Sequence, residues 1–119
     1  MKFYGYRKCS TCRQAESFLQ KAGVHFEFID ITEHPPSKTE LKQITQSGGL
    51  PLKKFFNTSG QLYREMALKD KIDSLSEDEA FALLSAHGKL IKRPLAFDGK
   101  RSTVGFREDE YRKFLSLQR

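Results

Sequence analysis

Residues 3–12 read FYGYRKCSTC, and this stretch decides the fold. Its first half is short and aromatic, which is typical of a β-strand. Beyond it, residues 15–22 repeat apolar side chains at the spacing of one helix face. Cys9 and Cys12, the only two cysteines in the sequence, therefore fall on a strand-to-helix turn. A Cys-x-x-Cys pair in that position is typical of thiol–disulfide chemistry.

The predicted position of Cys9, at a helix N-terminus, favours its reactive form. Free backbone N–H groups and the helix dipole stabilise negative charge there, and the thiolate is the nucleophilic form of cysteine. The basic side chains of Arg7, Lys8 and Arg13 surround the pair and should act in the same direction. We therefore expect Cys9 to be the catalytic nucleophile and Cys12, one helical turn later, to be the resolving thiol of a reversible disulfide.

Two other interpretations of the cysteine pair have to be weighed. Structural zinc commonly takes four ligands, such as two Cys-x-x-Cys pairs or one pair with two closely spaced histidines. The three histidines, His25, His34 and His87, do not have such spacing. A purely structural disulfide is the second alternative, but a cytosolic chain with two cysteines does not require one. The redox interpretation is favoured, and no metal is expected.

The composition predicts one domain with a modest core, spanning residues 1–119. No apolar run approaches the roughly 20 residues of a membrane span. Residues 1–5 have neither an apolar core region nor a cleavage site, so they do not read as a signal peptide. We therefore expect a cytoplasmic protein without a membrane partner, and we expect it to be a monomer.

The formal charge of +6 is unevenly distributed, with basic ends and an acidic middle. A basic end is one feature of nucleic-acid-binding proteins. No run of five basic residues occurs, however. The simpler interpretation of the positive charge is an electropositive environment for thiolates and anionic substrates. We expect no direct contact with nucleic acid.

The first third of the chain predicts a βαβ unit. Residues 2–6 and 24–31 have the patterns of strands, and residues 10–22 have that of a helix ended by Gly23. A strand, a helix and a second strand in this order suggest parallel strands with a right-handed connection.

The middle of the chain, about residues 37–88, predicts a helical insertion. Residues 37–40 (SKTE) and 76–79 (SEDE) each match a capping box that opens a helix. The first helix should end at Gly48 and Gly49, and the second should be closed by Gly88. Between them, residues 50–72 indicate short helices joined by a turn at 57–60.

The last part predicts two strands and a helix. Residues 95–97 and 100–106 have strand patterns, and the pair Asp98-Gly99 predicts a two-residue hairpin turn with positive φ. An acidic first turn at residues 108–110 opens the last helix. The whole order is that of an α/β, thioredoxin-like fold with a helical insertion between its βαβ and ββα halves. In such folds Pro94 would pack beside the cysteines in the cis form; a trans proline that opens a strand is the alternative.

Several short segments resemble the ArsC/Spx family, which includes arsenate reductases. They are the Cys-x-x-Cys turn and residues 92–95 (KRPL), 98–101 (DGKR), 104–106 (VGF) and 108–110 (EDE). The resemblance covers nearly the whole chain. It is strongest to short members that carry the FNTSG of residues 56–60 and the tyrosine–arginine pair of residues 63–64.

The resemblance implies two kinds of activity. Glutaredoxin-dependent arsenate reductases have His-Asn-Pro before the catalytic cysteine and several arginines that hold arsenate. This chain has YRK at residues 6–8, no arginine at 56–60, and Arg93 as the match to one of those arginines. We therefore expect arsenate turnover to be weak or absent. The other branch, Spx, comprises redox-sensing regulators that bind the C-terminal domain of the RNA polymerase α subunit.

The residues expected around the thiols follow from this reading. Ser10 and Thr11 would offer N–H groups and hydroxyls to an anion, although Ser10 is also a plausible helix cap. Arg93, beside Pro94, would stabilise the Cys9 thiolate or hold an oxyanion or a glutathione carboxylate. Tyr6 and Arg7 are expected to line the same cleft.

Two functions remain open at this stage. The first is a thiol–disulfide oxidoreductase that acts on a thiol donor or an oxidised protein. It would hold no bound cofactor and would use glutathione, glutaredoxin or thioredoxin as electron donor. The second is a regulator whose disulfide switches binding to RNA polymerase. The surface of residues 40–60 should distinguish them, because a regulator needs an exposed partner patch there.

Overall fold

The computed structural model describes residues 1–48 and 51–116. Within these residues, four short strands form one sheet in the order β2-β1-β3-β4. The pair β1–β2 is parallel, whereas β1–β3 and β3–β4 are antiparallel. The strands are β1 (Lys2–Gly5), β2 (Glu27–Asp30), β3 (Leu95–Phe97) and β4 (Ser102–Val104).

Five α-helices surround this sheet in the described residues. They are α1 (Ser10–Lys21), α2 (Lys38–Gly48), α3 (Gln61–Glu65), α4 (Glu77–Ala86) and α5 (Glu108–Ser116). Short 3₁₀ turns occupy Leu52–Phe55, Leu68–Asp70, Ile72–Ser74 and Gly88–Leu90. The predicted α/β class, with a helical segment between the βαβ and ββα parts of a thioredoxin-like fold, is confirmed. None of the described helices is both long and apolar enough to cross a membrane.

The sheet separates two apolar clusters, because successive strand residues point to opposite faces. On one face, Phe3 and Ala96 pack with residues of α1 and α5. On the other face, Tyr4 and Leu95 pack with α2, α4 and the short turns of the insertion. The insertion therefore covers one face of the sheet, and α1 and α5 cover the other.

The two predicted capping boxes behave differently. At the start of α4, Ser76 accepts from the Glu79 N–H at 3.1 Å and the Glu79 carboxylate accepts from the Ser76 N–H at 3.0 Å, so the box is complete. At the start of α2, Ser37 accepts from the Glu40 N–H at 3.1 Å. The Glu40 carboxylate instead accepts from the Tyr4 hydroxyl and pairs with Lys2 at 2.8 Å. The prediction of a capping box at residues 37–40 is therefore half right.

Glycines are predicted to end α1, α2 and α4, and Gly23 and Gly88 differ in conformation. Gly23 has φ +72 directly after α1, as a C-terminal glycine requires. Gly88, by contrast, lies against the carbonyl oxygen of Ile31, which a Cβ at position 88 would meet at 1.7 Å. Gly88 allows this close backbone approach, and it follows the C-cap His87 of α4 without the positive φ of a C-terminal glycine, so it does not act as the predicted helix terminator. The predicted end of α2 at Gly49 lies outside the described residues.

The hairpin between β3 and β4 is wider than the predicted two-residue turn. Phe97 pairs with Ser102, which leaves residues 98–101 in the connection. The Asp98 carboxylate accepts from the N–H groups of Lys100 at 2.7 Å and Arg101 at 2.5 Å, and Gly99 takes the predicted positive φ of +98. These hydrogen bonds from the backbone to the Asp98 side chain stabilise the four-residue connection. β4 is also shorter than predicted, since Gly105 beyond it has φ +74.

Candidate functional site: a dithiol at the start of helix α1

The two cysteines lie at the first turn of α1, and both are free thiols. Cys9 is the N-cap residue; its N–H donates to the Tyr6 carbonyl at 3.0 Å and its carbonyl accepts from the Arg13 N–H at 3.1 Å. These bonds fix the turn that joins β1 to the helix. Cys9 is half-buried, whereas Cys12 is only 1% exposed and lies on the inner face of α1 with Ala15.

The surroundings of Cys9 favour its thiolate. Partial burial opposes ionisation, but it is outweighed by hydrogen bonds from the Cys12 N–H and thiol, the Arg93 charge and the Thr11 N–H. Together these groups hold the pKa of Cys9 below its ordinary value. The backbone donors are the free N–H groups of the first helical turn, as expected for a helix N-terminus.

The surroundings of Cys12 have the opposite effect. Burial, and then the hydrogen bond and charge of Cys9, raise the pKa of Cys12 to about 12, although the Tyr6 N–H and Arg93 act against the shift. The Cys12 thiol thus keeps its proton and donates it to the Cys9 sulfur. The predicted order of reactivity, Cys9 before Cys12, agrees with these two shifts.

Arg93 and Pro94 approach the dithiol from the start of β3. The Arg93–Pro94 peptide bond is cis, which confirms the expectation from the fold and rules out the trans alternative. Pro94 is buried, and the Arg93 guanidinium lies 5.6 Å from the centre of the Tyr6 ring. This arrangement places the Arg93 charge where it acts on both sulfurs.

The other basic residues named from the sequence lie elsewhere. Arg7 stacks over the Phe28 ring at 4.0 Å and pairs with Glu16 at 3.3 Å, so it does not line the cleft. Arg13 and Ser10 lie in a neighbouring depression that does not include either cysteine. Lys8 is exposed. None of these three basic residues is among the groups that lower the pKa of Cys9, whereas Arg93 is.

A cleft of about 970 Å³ opens over Cys9 and Thr11. Its described lining is strongly basic, since Glu110 is the single acidic residue in it. The basic side chains come from well-separated parts of the chain and are Lys54, Lys92, Arg93, Arg101, Arg107 and Lys113. Most of these were missed, because separated sequence positions give no local pattern. The available signal was the excess of positive charge in residues 89–119.

No group of three His, Cys, Asp or Glu side chains suited to a metal ion occurs in the described residues. The site combines two thiols, one guanidinium whose charge acts on both, and a basic cleft. Together with the sheet order and the cis proline, they define a thioredoxin-like protein with a dithiol at the start of its first helix. The chain belongs to the ArsC family, whose model matches residues 4–114.

Three relatives show the range of this family. The uncharacterized protein YusI of Bacillus subtilis is 53% identical over 111 residues, which cover 93% of this chain and 94% of YusI. The global transcriptional regulator Spx of Streptococcus agalactiae is 35% identical, covering 90% of this chain and 77% of Spx. The crystal structure of a "possible arsenate reductase" from Streptococcus mutans is 46% identical with a TM-score of 0.85, covering 93% of this chain and 96% of that one.

Proposed function

We propose that this protein is a thiol–disulfide oxidoreductase whose redox centre is Cys9 and Cys12. The observation that carries the proposal is the placement of two free thiols within a single helical turn, with Cys9 half-buried at the N-cap and Cys12 only 1% exposed. This placement shifts their pKa values in opposite directions, that of Cys9 downward and that of Cys12 upward. A thiol that is readily deprotonated and partly exposed is suited to attack, and a buried neighbouring thiol is suited to resolve the product.

The proposed reaction has two exchange steps. The Cys9 thiolate attacks a disulfide R–S–S–R′, forms the mixed disulfide Cys9–S–S–R and releases R′–S⁻. Cys12 then loses its proton to solvent and attacks the Cys9 sulfur, so that a Cys9–Cys12 disulfide forms and R–S⁻ leaves. A dithiol is oxidised and a disulfide is reduced, and an external thiol such as glutathione, glutaredoxin or thioredoxin restores the starting state.

The basic cleft supports anionic partners for this chemistry. Six basic residues and one acidic residue line the space above Cys9, so carboxylates near the scissile disulfide would be attracted to it. Glutathione disulfides carry such carboxylates. Arsenate turnover is not part of the proposal, because the chain lacks the His-Asn-Pro approach and an arginine at 56–60.

A trapping experiment tests the proposal. The Cys12→Ser variant, immobilised and incubated with cell lysate, should retain proteins through mixed disulfides on Cys9 that are released by dithiothreitol. Purified wild-type protein should also reduce a glutathionylated peptide catalytically when supplied with one of the three electron donors. The Cys9→Ser variant is the matched control for both assays. Equal capture by the two variants, together with no catalytic reduction by wild type, would contradict the proposal.

A redox-sensing regulator is a second candidate, favoured by the 35% identity to Spx. In that case the disulfide would control binding to the C-terminal domain of the RNA polymerase α subunit. The test is a titration of that domain with reduced and with oxidised protein. Binding that depends on the redox state would favour the regulator, and no binding in either state would exclude it.

A further inference from the structure

Tyr111 has a hydroxyl group that the packing of the protein does not explain. The residue is on α5 and is fully buried. Its hydroxyl has no hydrogen-bond partner, and it is the one such buried side-chain atom in the part of the chain that the structure describes. Burying a hydroxyl without a partner costs stability, and a buried tyrosine hydroxyl usually finds a partner.

The ring of Tyr111 is surrounded by other aromatic rings. Its centre lies 5.0 Å from that of Phe106, 6.1 Å from that of Phe18 and 6.4 Å from that of Phe114. These neighbours offer neither a donor nor a strong acceptor, and a phenylalanine would satisfy the same contacts. The hydroxyl therefore needs an explanation beyond this cluster.

The titratable group that acts on this hydroxyl is the thiol of Cys12. Tyr111 packs in one cluster with Ala15 and Leu19, which share the buried face of α1 with Cys12. Burial raises the pKa of the Tyr111 hydroxyl, and negative charge on Cys12 raises it further, so the hydroxyl remains protonated and able to donate. The groups that act on Cys12 itself are Cys9, Arg93 and the Tyr6 backbone.

We propose that Tyr111 is a positioning residue for the resolving step, and that its hydroxyl donates a hydrogen bond to the Cys12 sulfur as that sulfur attacks. This inference rests on the proposed oxidoreductase function. In the reduced protein, Cys12 donates its proton toward Cys9. Once Cys9 is bound in a mixed disulfide, Cys12 must release that proton to solvent and carry negative charge while buried. Tyr111 then supplies a donor on the core side of the sulfur, where water has no access.

The electron balance of the step is unchanged by Tyr111. The Cys12 thiolate forms a bond to the Cys9 sulfur, the bond between Cys9 and the partner sulfur breaks, and the partner leaves as a thiolate that solvent protonates. Tyr111 keeps its proton throughout. Its effect is to stabilise the buried negative charge and to orient the attacking sulfur.

The test separates the two exchange steps with dithiobis(nitrobenzoic acid), a chromogenic disulfide that releases one coloured thiolate per step. Wild-type protein should release two equivalents, the first from attack by Cys9 and the second from resolution by Cys12. The Tyr111→Phe variant should keep the first rate and slow the second by about tenfold or more at neutral pH, as expected for the loss of a hydrogen bond to a charged sulfur. The second phase of this variant should also reach its maximal rate at higher pH than that of wild type.

Tyr63→Phe is the matched control, since Tyr63 is buried in the other cluster, and both of its phases should be unchanged. As a second measurement, biosynthetic replacement of tyrosine by fluorotyrosine makes the phenol a stronger donor. It should accelerate the second phase in wild type but not in Tyr111→Phe. Unchanged second phases in both experiments would overturn the role of Tyr111 and leave the proposed function intact. Release of a single equivalent by wild type would overturn the proposed function and the role of Tyr111 with it.

Discussion

Cys9 faces the cleft and Cys12 faces the core, and one helical turn separates these two regions. On the cleft side, the sulfur is partly accessible and lies under Arg93 and a basic wall. On the core side, Cys12 is only 1% exposed, and its sulfur lies against β1, where a Cβ at Gly5 would be 3.5 Å from it. The difference shows how identical thiols acquire different pKa values: one lies near charge and solvent, and the other lies in a medium that disfavours charge.

The largest expected effect comes from replacing either thiol. After exposure to oxidised glutathione, mass spectrometry should find no adduct on the Cys9→Ser protein. The Cys12→Ser protein should carry a stable adduct on Cys9, because the resolving thiol is absent. The reverse pattern would show that Cys12 is the nucleophile and Cys9 the resolving thiol. Adducts on neither protein would favour a structural role for the cysteine pair.

The next effect concerns wild-type alkylation. At neutral pH, iodoacetamide should label Cys9 at least about a hundredfold faster than Cys12, because only Cys9 has an appreciable thiolate fraction. Because the pKa of Cys9 is lowered, its thiolate forms at lower pH than that of a free thiol. The alkylation rate of Cys9 should therefore level off below about pH 8.5, the pKa of a free thiol. Peptide mapping against pH measures both rates. An inflection for Cys9 at the free-thiol value would contradict the electrostatic difference.

A smaller effect is expected from Arg93. The variant Arg93→Gln should move the Cys9 alkylation inflection upward by roughly one pH unit, because one nearby positive charge is lost. Arg7→Gln is the control, since Arg7 contacts Phe28 and Glu16 instead, and its profile should match wild type. If the Arg7 variant showed the larger change, the assignment of the stabilising charge would be wrong.

The smallest effect is expected at Lys113, an exposed lysine of the cleft lining. Lys113→Gln should slow the reaction with oxidised glutathione roughly two- to fivefold at low salt, and less at high salt, since exposed charges are screened. Its reaction with neutral hydroxyethyl disulfide should be unaffected. Lys89→Gln, an exposed residue outside the cleft, is the control. Equal slowing with both disulfides would show that charge attraction is not the cause.

Local sequence patterns predicted the fold well wherever neighbours in sequence determine the structure. Residues 95–97 form the predicted strand, Gly23 ends α1, and the box at residues 76–79 is complete. The same pattern at residues 37–40 formed only in part, because Tyr4 and Lys2 compete for the Glu40 carboxylate. No local pattern predicts these contacts, because Glu40 is 36 positions from Tyr4 and 38 positions from Lys2 in the sequence.

The candidate site shows the same division. The cysteine pair and the Arg93–Pro94 segment were found from sequence, because motif and fold order specify them. Arg7 was also expected in the cleft, but its guanidinium contacts Phe28 and Glu16 instead. The wall of the cleft combines residues from the insertion, the hairpin and α5, so it exists only after folding.

Gly88 sets a limit on how this protein can be engineered. The basic residues of the cleft wall are largely exposed, so their charges can be altered with little consequence for the fold. Gly88 takes no part in the chemistry, yet a single methyl group there would collide with the main chain of Ile31. The segment that follows Gly88 leads within a few residues to Arg93, whose charge acts on Cys9. Substitutions are therefore tolerated at the exposed residues of the cleft wall and excluded at Gly88.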